Sequence, residues 1–248
     1  MKWRVLPMHT TNAYMAMAID EAVAEAVAAG RSPPTMRFWR WSPSAVSIGY
    51  FQGMEEEVNL QACLASGTDV VRRRTGGGAV FHDRDGEITY SVIAPEDMFP
   101  RGIRESYQMI CGWAIEGLAR MGIRAEFAPI NDITVGGKKI SGNAQTRRGG
   151  VLLQHGTILY KLDPQKMFSH LKISKEKISD KMIQSVHERV TKILDYNIVS
   201  MDEAYKSLLK GFVSGKAYDF GTLTTEEIAR AHELAEKRYM SREWNFSR

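Results

Sequence analysis

Three arginines and three glycines flank a threonine at Arg72–Gly78, and the pair His82–Asp83 follows shortly after. Glycine adopts backbone angles closed to other residues and lets a ligand touch the main chain, so Gly76, Gly77 and Gly78 present N–H groups to an anion. Along an extended strand Arg73 faces opposite to Arg72 and Arg74. One or two of the three then point into a site, and the rest meet solvent. Three successive glycines cost conformational entropy that a plain surface turn does not require. A bound anion is therefore favoured over a solvated basic hairpin. Neither G-x-x-x-x-G-K-[ST] nor G-x-G-x-x-G is present, which excludes a P-loop and a Rossmann fingerprint.

A second cluster is "INDITVGGKKISGNAQTRRG". Lys138 and Lys139 follow a hairpin turn at Gly136-Gly137, and only one of them faces a given side of a strand. A lysine aimed at a carboxylate or phosphate suits carboxyl activation. Asn131 and Asp132 occupy the opposite arm, and Asp132 has the chemistry to hold Mg²⁺. The third piece is "QHGTILY", where His155 and Gly156 open a strand; a lone histidine of this kind is more often structural than catalytic.

The pattern around these clusters predicts the elements that carry them. "WRVLPM" reads as a first strand, and "TNAYMAMAIDEAVAEAVAAG" as a helix capped by Thr10 or Thr11 and stopped at Gly30. Further strands are expected at "TMRFWRW", "AVSIGYF", "TDVVRR", "GEITYSVIA", "RAEFAP", "DITVGGKKISG" and "GVLLQHGTILYKL". "EEEVNLQACLASG" reads as one short helix and "GIRESYQMICGWAIEGLARMG" as a long amphipathic one. Beyond Asp163 the pattern turns helical. Strands first and helices later argue for an α+β fold with a mixed sheet.

Bulk properties narrow the function. The 248 residues carry 33 basic and 29 acidic side chains, a net charge of +4, with 44% hydrophobic content. That balance argues against nucleic acid as the main ligand and suits an anionic substrate or acidic partner. Cys63 and Cys111 are the only cysteines and form no C-x-x-C pair, so neither a disulfide framework nor a zinc site is expected. No apolar run matches a signal peptide or membrane span, which predicts a cytoplasmic protein with no membrane partner.

Taken together, "RRRTGGGAVFHD", "NDITV", "KKISGNAQ", "QHGTILY" and the closing "EWNF" resemble the large catalytic domain of the lipoate–protein ligase A family. The matching segments run in family order from Ala18-Ile19-Asp20-Glu21-Ala22 to Trp244, nearly the whole chain. The resemblance implies a mixed β-sheet core flanked by helices, as in biotin and lipoate protein ligase catalytic domains, with residues 1–248 as a single catalytic domain. It implies an ATP-dependent ligase: lipoate and Mg·ATP give lipoyl-adenylate, and the ε-amine of an acceptor lysine then displaces AMP. The acceptors would be apo lipoyl domains of 2-oxoacid dehydrogenases or the glycine-cleavage H protein.

By the same resemblance, Arg73 and the run Gly76, Gly77, Gly78, Ala79, Val80, Phe81 and His82 wrap the nucleotide and activated carboxyl. Asn131, Asp132, Ser141, Gly142, His155, Gly156 and Thr157 complete the site. Lys139 would touch both the lipoyl carbonyl oxygen and the α-phosphate, and Asp132 is the candidate Mg²⁺ ligand. An eight-carbon acid burying about six methylenes at about 0.8 kcal/mol each gains roughly 5 kcal/mol, so octanoate is expected to be used too.

Two departures qualify the match. The chain ends four residues after "EW", where full-length bacterial ligases continue into a C-terminal accessory domain. Some archaeal relatives carry that piece as a separate protein, so weak adenylation by this chain alone is expected. Cysteine-dependent octanoyltransferases, which take their acyl group from acyl carrier protein, share "AQTR" and "LQHG" with this chain. Their nucleophile lies shortly upstream of the lysine, where this chain has "RAEFAPINDITV" and no cysteine; Cys63 and Cys111 read as buried hydrophobes. On that ground the ligase is preferred to an octanoyl or lipoyl transferase. A non-catalytic lipoyl-binding scaffold is disfavoured because Arg73, the glycine run and Lys139 are all retained. Biotin ligase is disfavoured because no "GRGR" loop occurs.

Overall fold

The computed structural model describes residues 2–172 and 180–248. In chain order the strands are β1 (Trp3–Thr11), β2 (Thr35–Trp41), β3 (Ala45–Ile48), β4 (Asp69–Arg72), β5 (Val80–His82), β6 (Glu87–Pro95), β7 (Glu126–Ala128), β8 (Asp132–Val135), β9 (Lys138–Arg148), β10 (Val151–Leu159) and β11 (Tyr218–Phe220). The helices are α1 (Ala13–Ala28), α2 (Met54–Glu57), α3 (Leu60–Ser66), α4 (Ile103–Ala119), α5 (Pro164–His170), α6 (Asp180–Arg189), α7 (Met201–Val213), α8 (Thr225–Leu234) and α9 (Arg242–Asn245).

Eight strands form a mixed sheet in the order β11-β1-β2-β6-β10-β9-β8-β7, and β4-β3-β5 form a smaller one. The alternation in "GEITYSVIA" shows how the large sheet serves two purposes. Ile88, Tyr90, Val92 and Ala94 join the core under α4 and α7. There Phe212 meets Phe38 and Tyr90 edge-on at 5.1 and 4.6 Å between ring centres. Each such aromatic pair adds about 0.5–1.5 kcal/mol beyond its burial. The intervening Glu87 and Thr89 face the opposite side and help to floor a cleft. Elsewhere on that side Trp39, Trp41, Ile93 and Leu153 pack against α1 and α8.

Most expected elements form, and the departures have local causes. The cap of α1 is Asn12, whose side chain accepts from the Met15 amide at 2.9 Å. Thr10 and Thr11 are held in β1 by pairing with Arg40 and Trp41 of β2. The helix expected over residues 55–67 is two helices, because buried Val58 takes extended angles and bridges to Leu171, leaving Asn59 to cap α3. "VFH" after the glycines is a strand, pairing with β3 so that His82 lies opposite Ala45. The helical region after Asp163 contains β11, parallel to β1. Over residues 173–179 that helical expectation lies outside the described residues. Among the described residues, no helix is long and apolar enough to cross a membrane.

Candidate active site

The three arginines divide their tasks. β4 ends at Arg72, whose guanidinium donates to the carbonyls of Gly49, Tyr50, Trp244 and Asn245 at 2.9–3.3 Å. Arg73 turns the other way. One of its terminal nitrogens donates to the carbonyl and hydroxyl oxygens of Ser47, both at 3.1 Å, and the other to the carbonyls of Gly76 and Gly78, both at 2.8 Å. Burial lowers the Arg73 pKa to about 10, so it stays charged at neutral pH. Arg74 pairs with the buried carboxylate of Glu21 at 2.6 Å. The expected solvated arginine is therefore not found: each has a specific buried partner, because the chain leaves the strand after Arg72 and strict alternation stops there.

The glycine loop is held close. Gly77 has φ +92, and a Cβ on Gly49 would lie 2.0 Å from the Gly77 carbonyl oxygen, so no side chain fits between the two segments. Gly76, Gly77 and Gly78 donate no backbone–backbone hydrogen bond among the described residues, and Gly77 and Gly78 are exposed along the cavity lining.

Across the cleft Lys139 of β9 reaches Asp132 of β8, with Nζ 2.8 Å from Oδ1 and both side chains partly exposed. A Cβ on Gly142 would sit 2.9 Å from both Cε and Nζ of this lysine, so glycine there makes room for it. The structure separates the two lysines: Lys139 lines the cleft, whereas Lys138 donates to the His187 carbonyl at 3.0 Å. Asn131 and Asn143 brace the β8–β9 pair, each side-chain amide donating to the other's carbonyl. As for Mg²⁺, Asp132 is engaged by Lys139, and the described residues contain no cluster of three His, Cys, Asp or Glu suited to a metal.

Two buried polar chains floor the cleft. His82 places Nε2 2.8 Å from Ser47 Oγ and Nδ1 2.7 Å from Glu87, and stacks on Trp41 at 4.1 Å. Thr89 donates to Glu87 and accepts from the Trp41 indole. His155 places Nε2 2.7 Å from Thr75 Oγ1 and Nδ1 3.2 Å from Asp20. Burial pushes the His155 pKa below the usual histidine range despite Asp20 beside it. For Asp20, burial acts to raise the pKa, but Arg37 and the hydrogen bonds from His155 and Ser91 outweigh it, and the carboxyl stays below its ordinary range.

These walls enclose a cavity of about 350 Å³. The structure brings together in its lining Arg73, Gly77, Gly78, Ala79, Val80, Phe81, His82, Asn131, Lys139, Gly142, His155, Gly156 and Thr157. Gly76, Asp132 and Ser141 lie just behind it: Gly76 through its carbonyl to Arg73, Asp132 through Lys139, and Ser141 buried beside Asn143. Sequence reasoning missed Ser47, Glu87, Thr89 and the apolar wall of Met17, Trp39 and Trp41. The signal available for Glu87 and Thr89 was the polar face of an alternating strand. Neither cysteine lines the cavity. Burial raises the Cys111 thiol to about 12 and Cys63 to about 11, far from a nucleophile's range.

A glycine loop stapled by a buried arginine, a lysine across from it and an apolar wall of Met17, Trp39 and Trp41 thus line one cleft. The chain belongs to the lipoyl protein ligase A/B catalytic domain family, whose model matches residues 12–213. Octanoyltransferase LipM of Brevibacillus brevis is 36% identical over an alignment covering 100% of this chain and 99% of that protein. The Bacillus subtilis LipM is 34% identical, covering 99% and 98%. Among solved structures, the archaeal bi-partite lipoate protein ligase of Thermoplasma acidophilum matches with a TM-score of 0.88 at 32% identity, covering 99% of this chain and 96% of that one. A lipoate-protein ligase A bound with ATP matches at 0.85 and 33% identity, covering 99% of each chain. The expected α+β fold, a mixed sheet with flanking helices, stands. The expected ATP-dependent ligase activity does not: the curated relatives that match end to end are octanoyltransferases.

Proposed function

We propose that the chain is an octanoyl or lipoyl transferase, with residues 1–248 acting as one catalytic domain. It takes the acyl group from an acyl carrier protein thioester, or from an already lipoylated protein. It delivers that group to a lysine ε-amine of an apo lipoyl-domain protein or a glycine-cleavage H protein. The observation that carries this reading is the trough between Lys139 and the Trp39–Trp41 pair, in a chain similar over its full length to curated octanoyltransferases.

The sheet register supports one orientation of the acyl chain. Trp39, Thr89, Thr157 and Gly142 lie side by side on β2, β6, β10 and β9. Strands about 4.8 Å apart place Gly142 about 14 Å from Trp39. An extended eight-carbon chain, built from bonds of about 1.5 Å, is about 9 Å long. It fits across these strands with its carbonyl at Lys139 and its far end against Trp39 and Trp41. Buried there, the methylenes contribute roughly 5 kcal/mol of binding.

The reaction needs an uncharged acceptor amine at the acyl carbon and a donor for the oxygen on which negative charge develops. Lys139 supplies that donor, held in place by Asp132, with Gly77 and Gly78 in the same cavity lining. With no cysteine in the cavity, the amine attacks the donor thioester directly. With the thioester donor the new C–N bond replaces the C–S bond, and the amine's proton leaves with the thiolate. With a lipoylated protein it replaces the donor's amide C–N bond, and the proton leaves on the donor's lysine amine. Donor and acceptor must then be bound together.

The test mixes the chain with octanoyl–acyl carrier protein and an apo lipoyl domain, without ATP, and weighs the acceptor by intact mass. The expected result is an octanoyl-sized gain that slows about 10²–10³-fold in Lys139→Met. A gain that appears only with ATP and a free acid overturns the reading. So does stable acceptor binding with no transfer from any donor.

A further inference from the structure

Asp20 ties the two walls of the cleft together. From α1, its Oδ1 accepts from Arg37 of β2 at 2.5 Å and from Ser91 of β6 at 2.7 Å. Its Oδ2 accepts from His155 of β10. An ionised carboxylate only accepts, so His155 carries its hydrogen on Nδ1 and Nε2 is left to accept from the Thr75 hydroxyl. Thr75 is fully buried and immediately precedes Gly76. At the other end, Arg37 stacks over the Trp39 ring at 4.1 Å, and Trp39 lines the far end of the cavity.

We infer that Arg37–Asp20–His155–Thr75 is a positioning relay, which fixes the glycine loop relative to the large sheet and so sets where the loop amides meet the acyl head; the rate readout rests on the transferase reading above. Arg73 staples the loop to itself and to β3, within the small sheet and its turn. The Thr75–His155 bond reaches from that loop to the large sheet, where Gly142 and Thr157 line the cavity. Protonating His155 would put a hydrogen on Nε2 and end its acceptance from Thr75. The charged and titratable groups around it are Asp20, Arg37, Arg73 and His82, and burial with Arg73 and His82 disfavours that proton.

The test is Thr75→Val, with Thr75→Ser as the conservative variant and Thr75→Ala used if valine does not fold. The readout independent of activity is hydrogen exchange at the Tyr50 amide, which donates to the Thr75 carbonyl at 2.9 Å. Removing the hydroxyl should speed that exchange about tenfold. Core amides such as Val92 keep their rate, and Thr75→Ser restores Tyr50. In the transfer assay, kcat falls with little change in acceptor KM, and the acid limb of the pH–rate profile moves. Unchanged Tyr50 exchange, acceleration equal across all amides, or no restoration by serine overturns the relay. If the wild type transfers nothing, the transferase reading fails, and the exchange measurement still decides the relay.

Discussion

Arg72 and Arg73 are neighbours, both buried, and both spread a guanidinium over several carbonyls, yet they build different regions. Arg72 clasps the C-terminal segment: its side chain binds the Trp244 and Asn245 carbonyls, while Trp244 Nε1 donates to its carbonyl and Asn245 Oδ1 accepts from its amide. Arg73 binds the turn that forms one wall of the cavity. The chemistry is the same, a fixed fork of donors satisfying carbonyls that water cannot reach. What separates the two is the neighbourhood of those carbonyls: the last helix and the Gly49–Tyr50 segment behind the loop in one case, the turn beside an open cleft in the other.

Substitutions at the two positions should divide along that line. The largest effect is expected for Arg72→Met, which leaves several buried carbonyls unpaired. Unfolding in denaturant should show a loss of about 3 kcal/mol or more, with transfer per folded molecule near normal. If the variant instead stays stable and loses activity, the division is wrong. Arg73→Met should cost less stability, about 2 kcal/mol, but slow transfer about 10²-fold in the protein that remains folded, because the loop shifts relative to the acyl head. Equal losses of stability and activity at both positions would erase the contrast.

The smallest effect is one that both variants should share. Burial first, and Arg37 second, lower the His9 pKa from 6.5 to about 4, and burial lowers His155 as well. Between pH 6.5 and about 4 the unfolded chain takes up protons that the fold refuses, so stability falls as pH drops through that window. Denaturant midpoints across pH should show the His9 decline in the wild type and in both arginine variants, since neither arginine contacts His9 and distant effects add. The Arg73 variant should decline less steeply, because the lost charge eases a proton onto His155. A decline absent from the Arg72 variant would contradict the assignment to His9.

Much of the site was legible in the sequence because its chemistry is local. The glycine run, Arg73 and Lys139 each sit in a short segment whose composition already departs from ordinary turns and strands. What escaped depends on register. Glu87, Thr89 and Ser91 read as the polar face of a strand, and only the β2–β6–β10–β9 order turns that face into the cleft floor. Trp39 and Trp41 look like core residues until β3 and β5 leave a trough beside them. Thr75 hides behind the glycines, since its partner His155 is distant in sequence. The activity was misjudged for a different reason. The missing cysteine before Lys139 favours a ligase only if the trough is specific to one reaction; a trough for an acyl chain serves either, and curated relatives such as the LipM proteins are octanoyltransferases.

Direct transfer within this cleft is the central claim, and one time course tests it: the chain, octanoyl–acyl carrier protein and apo lipoyl domain are mixed without ATP, and the masses of enzyme and acceptor are followed together. The account predicts that the acceptor gains the octanoyl group while the enzyme's mass never changes. An octanoyl adduct on the enzyme that rises before the acceptor's gain, or an acceptor that changes only when ATP and free acid replace the thioester, would contradict it.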